Sequence, residues 1–291
     1  MVFELPKGKY IVAVSGGVDS VVLLDMLASS PQGSEFVVAH FDHGMRTDSK
    51  QDAEFVEQLA KKYDLEFITE RAELGKSASE DQARVARYNF LRQAQKQHNA
   101  IAIITAHHQD DLLETMMLHV QRGTGRAGLT PMNAHGVVRP LLYTSKKQIL
   151  LYAQQHKLQW HEDHTNKNQK YARNKIRALL AANQNSAQQL LNIHKTMLPI
   201  NATIEELLLD VYNYAVLDNQ IIRARFVQLP YAAQCELIYM WLKKNGVQNV
   251  QKRLVQNAVI ACKTYAPHKK MSLGKNADLL SQQKLIKILQ K

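Results

Sequence analysis

The sequence predicts an α/β fold: a doubly wound parallel sheet followed by a second, smaller, mainly helical domain. Two observations carry the first part. Short apolar, β-branched runs alternate with segments of helical spacing through residues 10–120, the rhythm of βαβ units whose parallel strands are buried on both faces. Three of these runs are followed at once by clusters of Gly, Ser, His and Asp, and sheets of this kind bind ligands beyond the carboxyl ends of the strands, where strand order reverses. A third observation carries the second part. Beyond residue 186 the apolar patterns have helical period, and only residues 279–289 read as a terminal strand or hairpin.

In chain order, a strand over residues 10–14 leads to a helix over 20–29, a strand over 36–41 to a helix over 50–63, a strand over 65–69 to a helix over 80–98, and a strand over 100–105 to a helix over 110–120. The Gly-rich segment Arg122-Gly123-Thr124-Gly125-Arg126-Ala127-Gly128 then reads as a loop ending at Pro131. Helices follow over 146–157 and 174–182, separated by a polar turn at 163–169. The Asn/Gln-rich stretch 181–189 reads as the junction between a catalytic domain over 1–186 and a mainly helical domain over 187–291. In the latter, 190–216, 231–245 and 250–264 carry helical spacing.

Composition narrows the function. A chain of 291 residues with 45% hydrophobic content buries an ordinary globular core. No apolar stretch is long enough to span a bilayer, and Met1 to Lys9 lacks the basic-then-apolar pattern of a secretion signal, so the expected location is the cytoplasm with no membrane partner. Cys235 and Cys262 are the only cysteines, and no Cys-x-x-Cys is present to hold zinc, an iron–sulfur cluster or a redox pair. The net charge of +11 is polarised. Residues 1–118 hold 12 Lys/Arg against 18 Asp/Glu, residues 119–177 hold 11 against 2, and residues 187–291 hold 14 against 6. Such a distribution suits a polyanionic second substrate, although a merely basic, soluble surface explains it equally well.

The hexamer Ser15-Gly16-Gly17-Val18-Asp19-Ser20 lies between a strand and a helix and reads as a phosphate cradle. Its glycines open conformations closed to other residues and bring backbone N–H groups close to an anion, and the helix N-terminus adds partial positive charge. Ser15 and Ser20 offer hydroxyls. Asp19 is the unusual member, because a carboxylate beside polyphosphate is repulsive unless a divalent cation lies between them. The turn therefore implies Mg²⁺ and a nucleotide. The plainer reading is a capped Gly-Gly turn that begins an ordinary helix. The loop lacks the Gly-Lys-Ser/Thr ending of a Walker motif. It looks like the SGGxDS pyrophosphate loop of the ATP pyrophosphatase superfamily, whose members adenylate an oxygen atom and release pyrophosphate.

Other clusters follow other strands. His40, Asp42, His43 and Gly44 end one, and His107, His108, Asp110, Asp111 and Glu114 end another. Asp111 and Glu114, three apart on a helix, share a face and can hold one cation. His/Asp spacing of this kind is a weak metal signal, and helix capping explains one of the five rather than all. Arg84, Arg87 and Tyr88 fall on one helical stripe, which a solvated basic face would also explain. Arg173 and Arg177 are four apart with Lys175 between them and no acid, a pair that repels unless an anion joins it.

In this order, these residues resemble the tRNA(Ile)-lysidine synthetases. The resemblance rests on residues 15–20, His40-x-Asp42-His43-Gly44-Met45-Arg46, Glu80-x-x-Ala83-Arg84-x-x-Arg87-Tyr88-x-Phe90, Ala106-His107-His108-x-Asp110-Asp111-x-x-Glu114-Thr115, Arg122-Gly123-x-Gly125, Arg139-Pro140-Leu141-Leu142, and Glu162-Asp163-x-Thr165-Asn166 through Arg173-Asn174-x-Ile176-Arg177. It spans about residues 10–178, with small departures at Thr130-Pro131-Met132 and His164-Thr165. Longer members of that family continue into a further C-terminal domain.

The resemblance implies a PP-loop, Rossmann-like catalytic domain that uses ATP and Mg²⁺ to join free L-lysine to the wobble cytidine of a CAU-anticodon tRNA(Ile). Asp19, Asp111 and Glu114 are then the catalytic candidates. ATP is expected on Ser15, Gly16, Gly17, Val18, Asp19 and Ser20, with His40 and Asp42 near the adenosine, and Mg²⁺ on Asp19. Lysine is expected on Asp111 and Glu114. Arg84, Arg87, Arg173 and Arg177 are expected to hold the flipped cytidine and its flanking phosphates. His107 and His108 receive no role. Nothing in the sequence dictates a homodimer or excludes one. The competing readings are a small-molecule adenylating synthetase, a tRNA thiolase and a nonenzymatic nucleotide binder.

Overall fold

The computed structural model describes residues 4–29, 33–44, 49–72, 79–161, 176, 179–180, 183–248, 250–274 and 276–290. The chain divides into two compact units, Met1–Leu118 with Pro131–Leu190, and His119–Thr130 with Leu191–Lys291.

The first unit alternates β1 (Lys9–Ala13), α1 (Val18–Ala28), β2 (Glu35–Asp42), α2 (Ser49–Lys62), β3 (Glu66–Arg71), α3 (Glu80–Gln97), β4 (Ala102–Ile104), α4 (Gln109–Gln121), β5 (Val137–Val138) and α5 (Lys146–Gln155). All strand pairs are parallel, in the order β3-β2-β1-β4-β5. Strand order therefore reverses between β1 and β4. The alternation of a pleated strand sorts the core into two layers. Tyr10 and Val12 of β1 face α1, α2 and α5 through Val22, Val56 and Ile149, whereas Ile11 faces Phe90, Leu91 and Ala94 of α3. Expected and observed elements agree to within two or three residues at most ends. The two-residue strand β5 is too short to carry a periodic signal.

Local chemistry fixes the helix ends. Ser79 with Gln82, and Ser145 with Gln148, form reciprocal capping boxes at the starts of α3 and α5. The buried Asp25 of α1 accepts hydrogen bonds from Tyr63 after α2 (2.6 Å) and Tyr152 of α5 (2.8 Å), tying three helices at one carboxylate. Burial first, and the Asp25 contact second, push both phenols well above their ordinary range.

The second unit holds α6 (Gln184–Ala215), which starts within the first unit, then β6 (Val216–Leu217), β7 (Gln220–Ile222), α7 (Arg223–Phe226), α8 (Tyr231–Lys244), α9 (Lys252–Thr264), β8 (Lys270–Ser272), β9 (Ala277–Ser281) and β10 (Leu285–Gln290). Its core gathers Phe226, Trp241, Cys262, Leu279 and Ile286. The strands form an antiparallel sheet in the order β6-β7-β10-β9-β8. The expected terminal hairpin is β9 and β10. The other three strands have two or three residues each, and β6 turns into β7 through Asp218 and Asn219, both with positive φ.

This division differs from a single cut after residue 186 at two places. From Asn183 onward the Asn/Gln-rich stretch starts a helix: Asn183 Oδ1 accepts the Ser186 amide (3.0 Å) and α6 runs on through residue 190. The Gly-rich segment belongs to the second unit and contains a 3₁₀ turn, Arg126–Leu129. Arg126 donates to Glu236 (2.9 Å) and Asn201 (3.1 Å), and Asn201 donates to Thr130 (2.9 Å). Among the described residues no helix is long and apolar enough to cross a membrane. The expected helix over 174–182 falls largely outside the described residues.

Candidate active site

The turn after β1 is held from within. Ser20 Oγ accepts the Ser15 amide (3.2 Å) and donates to the Gly17 carbonyl (2.9 Å), and the Ser15 hydroxyl lies 3.2 Å from it. Gly16 has φ of +89°, the left-handed region that side chains rarely adopt, so the backbone there calls for glycine, although a Cβ would make only ordinary contact with Phe55 and Val56 of α2. The His161 amide donates to the Gly16 carbonyl (3.0 Å). Gly17 is the N-cap of α1, which leaves the amides of Val18 and Asp19 in the first turn, where the helix has no acceptor for them. The geometry is that of an anion cradle at a helix N-terminus.

Across the strand-order reversal, the end of β4 supplies the second half of the rim. His108 precedes α4, and its Nδ1 accepts the Asp110 amide (3.2 Å) while its own amide donates to Asp111 Oδ2 (3.1 Å). With Nδ1 accepting, the ring proton sits on Nε2, which faces Asp111 Oδ2 at 3.5 Å and Asp19 Oδ2 at 3.8 Å. These are electrostatic contacts rather than hydrogen bonds. Asp110 Oδ1 accepts the first helical amide of α5, that of Lys146 (3.2 Å). Capping thus occupies His108, Asp110 and Asp111, more of the cluster than sequence reasoning assigned to it. Glu114, one turn on, is buried at 3% exposure.

His107 has the most perturbed histidine environment in this half of the rim. Burial, then the guanidiniums of Arg139, Arg87 and Arg84, hold its pKa down at about 3, and Nδ1 lies 2.9 Å from the Thr105 hydroxyl. Arg84 and Arg87 stack over the Tyr88 ring at 5.0 and 5.7 Å, so the expected stripe on α3 does form. Arg139 donates to the Met132 and Val137 carbonyls. The folded-state value of His107 lies below its ordinary 6.5, so the unfolded chain takes up the proton first. Stability is whole above about pH 6.5 and falls as pH drops towards about 3. His107→Gln is expected to flatten the decline in urea midpoint between pH 6.5 and 4. An unchanged slope would assign the acid sensitivity elsewhere.

The remaining candidates hold different positions. His40 lies beneath the loop, with Nδ1 donating to the Val14 carbonyl (2.9 Å), and burial holds its pKa down. Asp42 shapes the turn after β2 by accepting the Gly44 amide (2.8 Å) and faces Arg71 at 3.6 Å. Both are buried. Arg173 and Arg177 lie outside the described residues. Lys146, which sequence reasoning passed over, places Nζ 2.6 Å from Asp19 Oδ1. Their separation of 127 positions leaves no local signal.

Asp19 fits Mg²⁺ chemistry in a limited sense. No group of three His, Cys, Asp or Glu side chains able to hold a metal occurs among the described residues. Mg²⁺ needs no such cage, since it is commonly held by one or two carboxylates together with substrate phosphates and waters. A partly exposed carboxylate beside an anion cradle is one half of that arrangement.

A phosphate cradle with its own carboxylate, set where a parallel sheet reverses strand order, defines a nucleotide-binding α/β protein. The PP-loop domain family matches residues 1–184, and the chain belongs to it. A tRNA(Ile)-lysidine synthase of Thermosipho africanus is 40% identical over 179 residues, covering 58% of this chain and 42% of that protein. One from Actinobacillus pleuropneumoniae serotype 3 is 34% identical over 253 residues, covering 82% and 59%. The chain spans about half the length of these curated relatives. Among solved structures, the U34-tRNA thiolase NcsA of Methanococcus maripaludis superposes with a TM-score of 0.55 at 15% identity, over 66% of this chain and 72% of that one, a likeness of fold.

Proposed function

We propose that the chain is a tRNA(Ile)-lysidine synthetase acting in the cytoplasm. The observation that carries this reading is the identity to synthases of that name, 40% over 179 residues and 34% over 253. The substrates are ATP, free L-lysine and a CAU-anticodon tRNA(Ile).

The chemistry suits the residues. Cytosine C2 is a poor electrophile because its carbon is conjugated to ring nitrogens, so O2 must become a leaving group before an amine can displace it. Attack of O2 on the α-phosphate of ATP releases pyrophosphate towards the loop of residues 15–20 and leaves adenylate on the base. Mg²⁺ on Asp19 would supply charge neutralisation there. The lysine ε-amine then attacks C2, and AMP departs. Only about one lysine side chain in a few thousand is deprotonated at neutral pH. Asp111 and Glu114 bind the ammonium, and one of them takes its proton during attack. Arg84 and Arg87 of α3, with Arg173 and Arg177, receive the flipped cytidine and its flanking phosphates.

A thiolase reading has less support. A sulfur-transfer enzyme that works with a pair of cysteines needs both thiols accessible, whereas Cys235 alone is partly exposed and Cys262 is wholly buried, its thiol pushed up to about 12, mainly by burial. The direct test is pyrophosphate release. It should require ATP and tRNA, and a nonenzymatic nucleotide binder would release none.

The second unit is assigned to tRNA placement. Lys243, Lys244, Lys252 and Arg253 are exposed, and Lys244 rests on the Tyr212 ring at 3.9 Å, a mixture of cation and aromatic suited to RNA. Changing all four to Glu is expected to weaken tRNA binding and make the slope of log affinity against log salt shallower by about 3. A folded quadruple variant with unchanged affinity and slope would remove this patch as a tRNA contact.

A further inference from the structure

We propose that Lys146 is the residue that meets the leaving pyrophosphate, exchanging its present partner Asp19 for the β- and γ-phosphates when nucleotide binds. The proposal rests on the ATP reading given above and adds to it a residue, a movement and a subsite.

Three helix N-termini converge at this point. α1 begins at Val18 beside the cradle, α4 begins at Gln109, and α5 begins at Lys146. The Gln109 amide donates to the Thr144 carbonyl (3.0 Å), the Lys146 amide donates to Asp110 Oδ1 (3.2 Å), and Lys146 Nζ reaches Asp19 Oδ1 (2.6 Å). Each helix start contributes partial positive charge, and Lys146 adds a full one. The acids nearby are Asp19, Asp110 and Asp111. Asp110 is engaged by the α5 amide and Asp111 by the His108 amide, which leaves Asp19 as the carboxylate that holds the ammonium.

The ion pair contributes little to the fold. Both side chains are about one third exposed, 35% for Lys146 and 31% for Asp19, and pairs in that setting add little stability. The α1 and α5 helices are already joined by core packing through Ile149 and Ala153, and by the Tyr152 bond to Asp25. A flexible ammonium at an open rim is instead suited to follow a phosphate. As O2 of the base forms its bond to Pα, the Pα–O bond to the β-phosphate breaks and its electron pair stays on the departing pyrophosphate oxygen. The Lys146 ammonium stays protonated and faces that charge, and the Asp19 carboxylate it leaves is free for a divalent cation.

Calorimetric titration of the purified chain and its Lys146→Met and Lys146→Arg variants with ATP, inorganic pyrophosphate and AMP tests this. Lys146→Met is expected to weaken ATP and pyrophosphate binding about tenfold or more and to leave AMP binding within about twofold. Lys146→Arg should recover most of the loss, and the thermal midpoints of all three proteins should agree within a few degrees. Equal affinity of wild type and Lys146→Met for pyrophosphate would overturn the assignment alone. So would an equal loss for AMP, or a Lys146→Met chain that does not fold. A wild-type chain that binds neither ATP nor pyrophosphate would overturn the nucleotide reading, and this assignment with it.

Discussion

Asp19→Asn is expected to lower tRNA-dependent pyrophosphate release by about a thousandfold or more while leaving the fold intact. The magnitude follows from removing a carboxylate beside the cradle, since charge stabilisation of a transferring phosphoryl group commonly contributes several kcal/mol. The fold survives because Asp19 supports no core: its side chain is partly exposed, and its strongest contact is to a lysine that water can solvate in its place. Circular dichroism and a thermal melt check the second half of the expectation, and a pyrophosphate assay the first. Turnover near the wild-type rate would remove Asp19 from the mechanism.

Glu114→Gln separates the two half-reactions. Glu114 is buried on α4 one turn beyond Asp111, on the opposite side of the strand-order reversal from the cradle. Adenylation should therefore continue, with pyrophosphate still released in the presence of tRNA. Transfer of lysine should fall by about a hundredfold or more, the usual contribution of a positioned proton acceptor, or should demand much higher lysine. Loss of ATP binding in this variant would instead move Glu114 to the nucleotide side.

The sheet was legible because its strands are short, β-branched and followed at once by turn chemistry. Residues 10–14, 36–41 and 100–105 each carry that signature, and the helices between them keep an apolar stripe over three turns or more. β5 and the strands β6 to β8 were not legible, because two or three residues cannot display a period and their pairing is decided by partners far along the chain. The loop of residues 15–20 announced itself because glycines that free the backbone, serine hydroxyls and a carboxylate are crowded into six consecutive positions. Lys146 did not, since a lysine at the start of a helix is ordinary until Asp19, 127 residues away, is found beside it. His108 was opaque for a similar reason: its work as an N-cap depends on a ring nitrogen accepting the Asp110 amide, and histidine is not among the preferred capping residues. The placement of residues 119–130 with the second unit depends on Arg126 finding Asn201 and Glu236, a tertiary choice that the glycines around it conceal.

In the proposed reaction, one rim activates a tRNA base with ATP and hands it to lysine. The most direct measurement incubates the protein with ATP, Mg²⁺, isotopically labelled lysine and unmodified total tRNA, then maps the label by nuclease digestion. The expected result is ATP-dependent incorporation into a single isoleucine tRNA, confined to the wobble nucleotide, with one AMP and one pyrophosphate formed per lysine joined. Pyrophosphate release without any transfer of label to tRNA, or label distributed over many tRNAs or at another nucleotide, would contradict it.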